Sequence, residues 1–384
     1  MLGKCRAEAG PSRRRGGVVA AVVGMALAGL VAPGAWADGA TVERRVHRPG
    51  SHANVSPRAT SSPTGLTPAQ VKQAYNFPTA ADAGAGQTVA VVAPFDAPTI
   101  EDDLNAFSTT FGLPACTTAN GCFKKVDQKG RRSYPAPDKL WAMEISLDVE
   151  WVHAIAPGAD ILLVEARSDR LADVLVAEDY ATAHARYVTN SLGIDEFAGE
   201  SGDDSHFHRP GVSIFAASGD DGAANGPGYP AASPDVIAVG GTTLVDIGRP
   251  TFTEQGWRGS GGGCSLYETA NPAQSASAGY GAVNCAGKRA VPDVALVADP
   301  RSGVSVYDSY KTSNNWMPVG GTSASSPMWA ARAAASGRVI DARLLYAASS
   351  PIAFRDVTAG NNGRPALPGF DLVSGLGSWT GPTP

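Results

Sequence analysis

In Gln87-Thr-Val-Ala-Val-Val-Ala93 the five residues from Val89 onward are apolar without a break. A strand with one face in water alternates apolar and polar residues, whereas a strand apolar on both faces belongs inside a parallel sheet covered by helices on both sides. The same reading applies to Ala159–Val164, Tyr187–Ser191, Val212–Ala216 and Val236–Val239. Between these runs the pattern turns helical: Ile100–Phe111 with acids in its first turn, Leu140–Ile155 and Leu171–His184. Ahead of them, Thr67 followed by Pro68 reads as an N-cap and first helical residue. The expected architecture is α/β, a doubly wound, mostly parallel sheet with helices on both faces. No internal repeat or second domain boundary interrupts it, so residues 66–384 are expected to form one domain.

The flanking sequence bounds where such a domain works. Arg13-Arg14-Arg15, the apolar run Val18–Val31 and Ala35-Trp36-Ala37 stand in the order of a secretory signal, with cleavage after Ala37. The apolar run is short and broken by glycines, which argues against a membrane anchor, and no other stretch is apolar enough to span a bilayer. Residues 38–65, rich in Ser, Thr, Pro, Arg and His, read as a disordered lead-in. Five cysteines are present. Removal of Cys5 with the signal leaves Cys116, Cys122, Cys264 and Cys285, an even number that in an exported chain argues for disulfides. Loop closure favours Cys116–Cys122 and Cys264–Cys285 among the three pairings. Zinc-type C-x-x-C pairs are missing. With 45 Gly, 28 Pro and 17% charged residues among 384, the chain reads as loop-rich and extracellular. Its net charge of −5 gives no nucleic-acid footprint.

Three short segments carry chemistry. Gly320-Gly-Thr-Ser-Ala-Ser-Ser-Pro327 precedes a helix-like run, Met328–Ser336, and a serine at such a junction is placed as a nucleophile, unless Thr322 or Ser323 simply caps the helix. A serine nucleophile needs a base. Of the six histidines, His47 and His52 lie in the lead-in, His206 and His208 in a polar loop, and His184 at a helix end. His153 follows a more notable pair, Glu144 and Asp148, four residues apart on one helical face. Two carboxyls so placed repel, which raises one pKa and lets the pair share a proton. The apolar flanks from Trp141 to Trp151 make their burial plausible, against the commoner solvated acidic face. Ser218-Gly219-Asp220-Asp221-Gly222 directly follows an apolar strand, where α/β sheets build sites; Asp220 is either a turn residue or, when protonated, a hydrogen-bond donor to an oxyanion.

Taken in this order, E-x-x-x-D at Glu144 and Asp148, S-G-D at Ser218–Asp220 and G-T-S-x-x-x-P at Gly321–Pro327 resemble the sedolisins, the serine-carboxyl peptidases with a subtilisin-like fold. The resemblance runs from about Leu66 to Thr380. It implies that Ser323 attacks the peptide carbonyl, Glu144 is general base and later acid, Asp148 supports Glu144, and protonated Asp220 stabilises the oxyanion. It also implies a Ca2+ site built from Asp356, Val357, Leu367, Gly369 and Asp371, with carboxylates from the two aspartates and carbonyls from the other three. The family more often has Gly where Leu367 stands. Some relatives carry a further acid at the end of the first core strand, here Val92-Ala93-Pro94, with Asp96 the nearest acid. They also commonly carry a long folded propeptide, for which residues 38–65 leave little room.

Carboxyl groups near their usual values act as base and protonated donor in acid, so the expected activity is cleavage of extended polypeptide substrates below about pH 5 by a secreted, monomeric chain without stable membrane association. Three other readings compete. They are a non-catalytic secreted binding protein on the same fold, a subtilisin-like peptidase using His153, and an esterase, which would need a G-x-S-x-G elbow that this sequence lacks.

Overall fold

A computed structural model describes residues 43–48, 59–245, 252–347, 350 and 352–381. The signal segment 1–37 and Cys5 lie outside the described residues. Those described belong to one unit, Glu43–Pro384.

The apolar runs form the sheet they predict. Strands β1 (Thr88–Pro94), β2 (Phe123–Asp127), β3 (Asp160–Ala166), β4 (Tyr187–Asn190), β5 (Ser213–Ala217), β6 (Ile237–Val245) and β8 (Val294–Val297) are parallel. Their order is β8-β6-β5-β4-β1-β3-β2, and an antiparallel strand β7 (Thr253–Gly256) pairs with β6. Helices α2 (Ile100–Phe111), α3 (Lys139–Ile155) and α5 (Thr322–Ser336) bury their apolar stripes against one sheet face, together with α1 (Pro68–Tyr75). Helix α4 (Leu171–His184) covers the other face. At α1 the Thr67 side chain accepts the Gln70 N–H and Gln70 answers it, a complete capping box.

Both local disulfides form, Cys116–Cys122 and Cys264–Cys285. Among the described residues no helix is long and apolar enough to cross a membrane.

Two stretches of the lead-in, 43–48 and 59–65, lie among the described residues, and both pair through their backbone with the rest of the chain. Residues 43–48 form an extended strap paired with Arg170 and Gly193, and Val46 is only 2% exposed. Farther on, Thr60 pairs with Trp316 and Leu66 with Val304. These described stretches are joined by isolated backbone bridges rather than built into a helix or strand of their own. Backbone pairing needs no apolar repeat.

Candidate active site

Helix α3 starts at Asp138, whose carboxylate accepts the N–H groups of Leu140 and Trp141. That start sets the phase that turns Glu144 and Asp148 inward, 2% and 0% exposed. Helix α5 begins at Thr322, earlier than the Met328 expected from sequence, so Ser323 sits in its first turn, 1% exposed. Neither Thr322 nor Ser323 acts as the cap, which is Gly321 without a side-chain bond.

Pro327 lies inside this helix and leaves one of its carbonyls without the usual partner. Proline has no N–H to offer the carbonyl four residues back, that of Ser323. The Ser191 hydroxyl, just past the end of β4, lies 3.3 Å from that carbonyl and 2.6 Å from Asp148 Oδ1, to which it donates. One hydroxyl thus joins the carboxyl pair of α3 to the serine turn of α5.

Asp220 is fixed from the same turn. Its Oδ1 accepts the Thr322 N–H at 2.7 Å and the Thr322 hydroxyl at 2.9 Å. Its Oδ2 lies against Gly321, where a Cβ would approach it to 2.5 Å and where φ is +108°. Only glycine permits both that backbone and that carboxyl.

Burial disfavours charge on all three acids. It pushes Asp148 well above the usual range, the charge of Glu144 adds to this, and the Ser191 bond opposes it. Burial raises Glu144 too, against the Arg48 guanidinium, 3.7 Å from Oε2, and against the nearby Ser323 hydroxyl. Both members of the pair are thus pushed toward the protonated form, with the Arg48 charge opposing this at Glu144. Asp220 is pushed up to about 7 by burial, against its two Thr322 bonds, and carries its proton below that pH. Glu144 Oε1, Asp148 Oδ2 and Ser323 Oγ are buried without a full hydrogen bond inside the protein. Each leaves hydrogen-bonding capacity unused inside the fold.

The strap crosses this site. His47 exchanges both backbone bonds with Gly193, at 2.8 and 3.0 Å, and Val46 N–H donates to the Asp169 carbonyl at 2.7 Å. His47 also lines a cavity with Gly193, Ser218 and Asp220. A peptide lying here would gain backbone bonds of the same kind, and the residue after His47, Arg48, already lies 3.7 Å from Glu144.

The other acids and histidines take different roles. His153 is buried with Nε2 2.8 Å from the Pro114 carbonyl, and burial lowers its pKa. Although it lies beside Cys116 and Cys122, those sulfurs are joined in a disulfide and offer no metal ligand. Asp96 pairs with Lys125 at 2.6 Å. The acid beside the end of β1 is Glu165 of β3, opposite Ala93 in the register and pushed up to about 8 by burial.

The residues expected to hold Ca2+ converge on one loop. Gly369 N–H donates to Asp356 Oδ2 at 2.9 Å and Leu367 N–H to Asp371 Oδ2 at 2.8 Å. Asp371 Oδ1 accepts the Val373 and Ser374 N–H groups. Both carboxylates are taken up by backbone N–H groups in this structure; carboxylate oxygens are hard donors of the type that suits calcium, and Asp356 and Asp371 are the residues here that could supply them.

Sequence reasoning missed Ser191 and Arg48. The first was concealed at the end of a strand run and the second inside a polar lead-in. Pro327, four residues after Ser323, was the one local signal that the Ser323 carbonyl needed another donor.

Comparison with known proteins agrees with this geometry. The model of the Subtilase family (Peptidase_S8) matches residues 140–342. Kumamolisin of Bacillus sp. (strain MN-32) is 32% identical over 364 residues, covering 83% of this chain and 62% of that protein. Xanthomonalisin of Xanthomonas sp. (strain T-22) is 29% identical over 361 residues, covering 72% and 41%. The chain thus spans less than two thirds of the length of these relatives. Among solved structures, Pseudomonas sedolisin (serine-carboxyl proteinase), complexed with two molecules of pseudo-iodotyrostatin, superposes with a TM-score of 0.69 at 26% identity, over 83% of this chain and 96% of the other. The chain belongs to the subtilase family and, within it, to the sedolisins.

Proposed function

We propose that this chain is a secreted serine-carboxyl endopeptidase that hydrolyses peptide bonds of extended polypeptides in acid. The observation that carries the reading is the Ser191 hydroxyl, within 2.6 Å of Asp148 and 3.3 Å of the Ser323 carbonyl, which brings nucleophile and carboxyl pair to one point.

In the first half-reaction the Ser323 proton passes to Glu144 as Oγ bonds to the carbonyl carbon. The oxyanion accepts a hydrogen bond from protonated Asp220. Glu144 returns the proton to the leaving amine as the C–N bond breaks, which leaves an acyl-enzyme on Ser323. Water, giving its proton to Glu144, then bonds to the acyl carbon, the C–Oγ bond breaks, and Glu144 returns the proton to Ser323 Oγ as the acid product leaves. Protonated Asp148 keeps negative charge off its own carboxyl so that Glu144 can be the ionised member of the pair. Calcium, held by Asp356, Val357, Leu367, Gly369 and Asp371, would brace the loop that carries them. The two disulfides and the signal-like start are consistent with export.

Cleavage of a denatured protein at pH 4 by the purified chain and by Ser323→Ala tests the reading. Fragments with the first and none with the second are expected. Undiminished cleavage by Ser323→Ala contradicts it.

A further inference from the structure

The strap in the groove shows more than that the groove accepts a backbone. Its residues alternate. Arg44 stacks its guanidinium over the Phe197 ring, 4.0 Å from the centroid. Val46 is buried in the apolar cluster that includes Leu171 and Leu175. Arg45 points to the other side and pairs with Asp169 at 2.6 Å. The backbone of the same stretch is held on both edges, by Leu171 N–H to the Arg44 carbonyl at 2.9 Å and by the bonds of Val46 and His47. Two different devices, an aromatic face and a carboxylate, thus receive two successive basic side chains just ahead of an apolar pocket.

We propose that Phe197 and Asp169 are specificity-determining residues that make the groove select polypeptides carrying two consecutive basic residues followed by an apolar one, the order Arg44-Arg45-Val46 displays. Neither residue touches the reacting atoms. Phe197 attracts a cation through its ring face and Asp169 through its charge, and both act on binding before the bond to be cut reaches Ser323. The strap is then a competitor built into the chain, since it satisfies the same preference. The inference rests on the peptidase reading for the site and adds the substrate class to it.

Two internally quenched peptides that differ only in Arg-Arg-Val against Ala-Ala-Val ahead of the cleaved bond, assayed with the full chain near pH 5, provide the test. The Arg-Arg peptide is expected to show a kcat/KM on the order of tenfold higher, the combined worth of one exposed ion pair and one cation–π contact, carried by KM. The ratio should fall toward one when Asp169→Asn and Phe197→Leu are combined, and should shrink in high salt. Asp169→Asn alone, a change at a partly exposed side chain, should already halve it or better, so the test stands if the Phe197 variant does not fold. Equal kcat/KM for both peptides, or a preference that survives Asp169→Asn unchanged, overturns the proposal. Cleavage of neither peptide counts against the peptidase reading instead. In that case binding of the same two sequences to the Ser323→Ala chain decides, with tenfold tighter binding of the Arg-Arg peptide supporting the proposal and equal affinity overturning it.

Discussion

The Ser191 hydroxyl donates to Asp148 Oδ1 at 2.6 Å while lying 3.3 Å from the carbonyl of Ser323, the acceptor that Pro327 leaves without a helical partner. A proline that would weaken an ordinary helix therefore leaves a free acceptor on the turn that carries Ser323, beside the hydroxyl that holds Asp148.

Ser191→Ala removes the donor to Asp148 and the polar neighbour of the Ser323 carbonyl. Loss of a hydrogen bond to an ionisable group is worth about 1.5–3 kcal/mol, so kcat should fall by about tenfold or more with KM little changed. Steady-state kinetics on one peptide checks this. A change in KM alone would mean that Ser191 only shapes the groove.

Asp220→Asn and Asp220→Ala separate the donor from its proton. An amide donates at every pH, whereas Asp220 donates only below about 7, where burial lets it keep its proton. The Asn variant should retain part of the activity and lose the fall in rate near pH 7. The Ala variant should lose about 100-fold in kcat, the usual cost of removing one oxyanion donor. Parallel pH–rate profiles of the wild type and the Asn variant check the assignment.

Folding stability should be greatest in acid. Glu165, Glu178 and Glu200 are pushed up to about 8 and Glu268 to about 7, each chiefly by burial. An acid whose folded pKa is raised holds a proton that the unfolded chain has already lost above about pH 4.3, so the folded state loses stability as pH rises toward 8. Thermal unfolding of Ser323→Ala at fixed calcium, where self-digestion cannot interfere, should show a Tm at least about 5 °C lower at pH 8 than at pH 4.5. A Tm that rises over this interval would mean that the buried carboxyls are more readily ionised in the folded chain than in the unfolded one.

Calcium removal offers a separate check on Asp356 and Asp371. A ligand at a hundredfold excess over its Kd adds about 2.7 kcal/mol to stability, so chelation should lower Tm and added Ca2+ restore it. In Asp371→Asn the response to calcium should vanish. The same response in wild type and variant would place the ion elsewhere.

Much of the fold is legible in the residues themselves. Val89–Ala93 and its counterparts predict a parallel sheet because a strand covered on both faces has no polar side to show, and the helix at Leu171–His184 falls where its periodicity places it. Glu144 and Asp148 are readable as a pair because helical spacing alone puts them on one face. The start of α5 differs from the expected one because Pro327 suggests a helix beginning rather than a helix interior. Arg48 and the strap are illegible for a different reason: they bind by backbone pairing and charge, which leave no periodic trace.

The central claim is that carboxyl groups rather than a histidine run the serine, and the pH dependence of kcat/KM on one peptide tests it most directly, with Glu144→Gln and His153→Ala alongside. The account predicts activity confined to acid, with the rate falling as pH rises through about 7 and Asp220 loses its proton, abolished in Glu144→Gln and persisting in His153→Ala. A rate that climbs through neutrality, or that disappears with His153 and survives without Glu144, would contradict it.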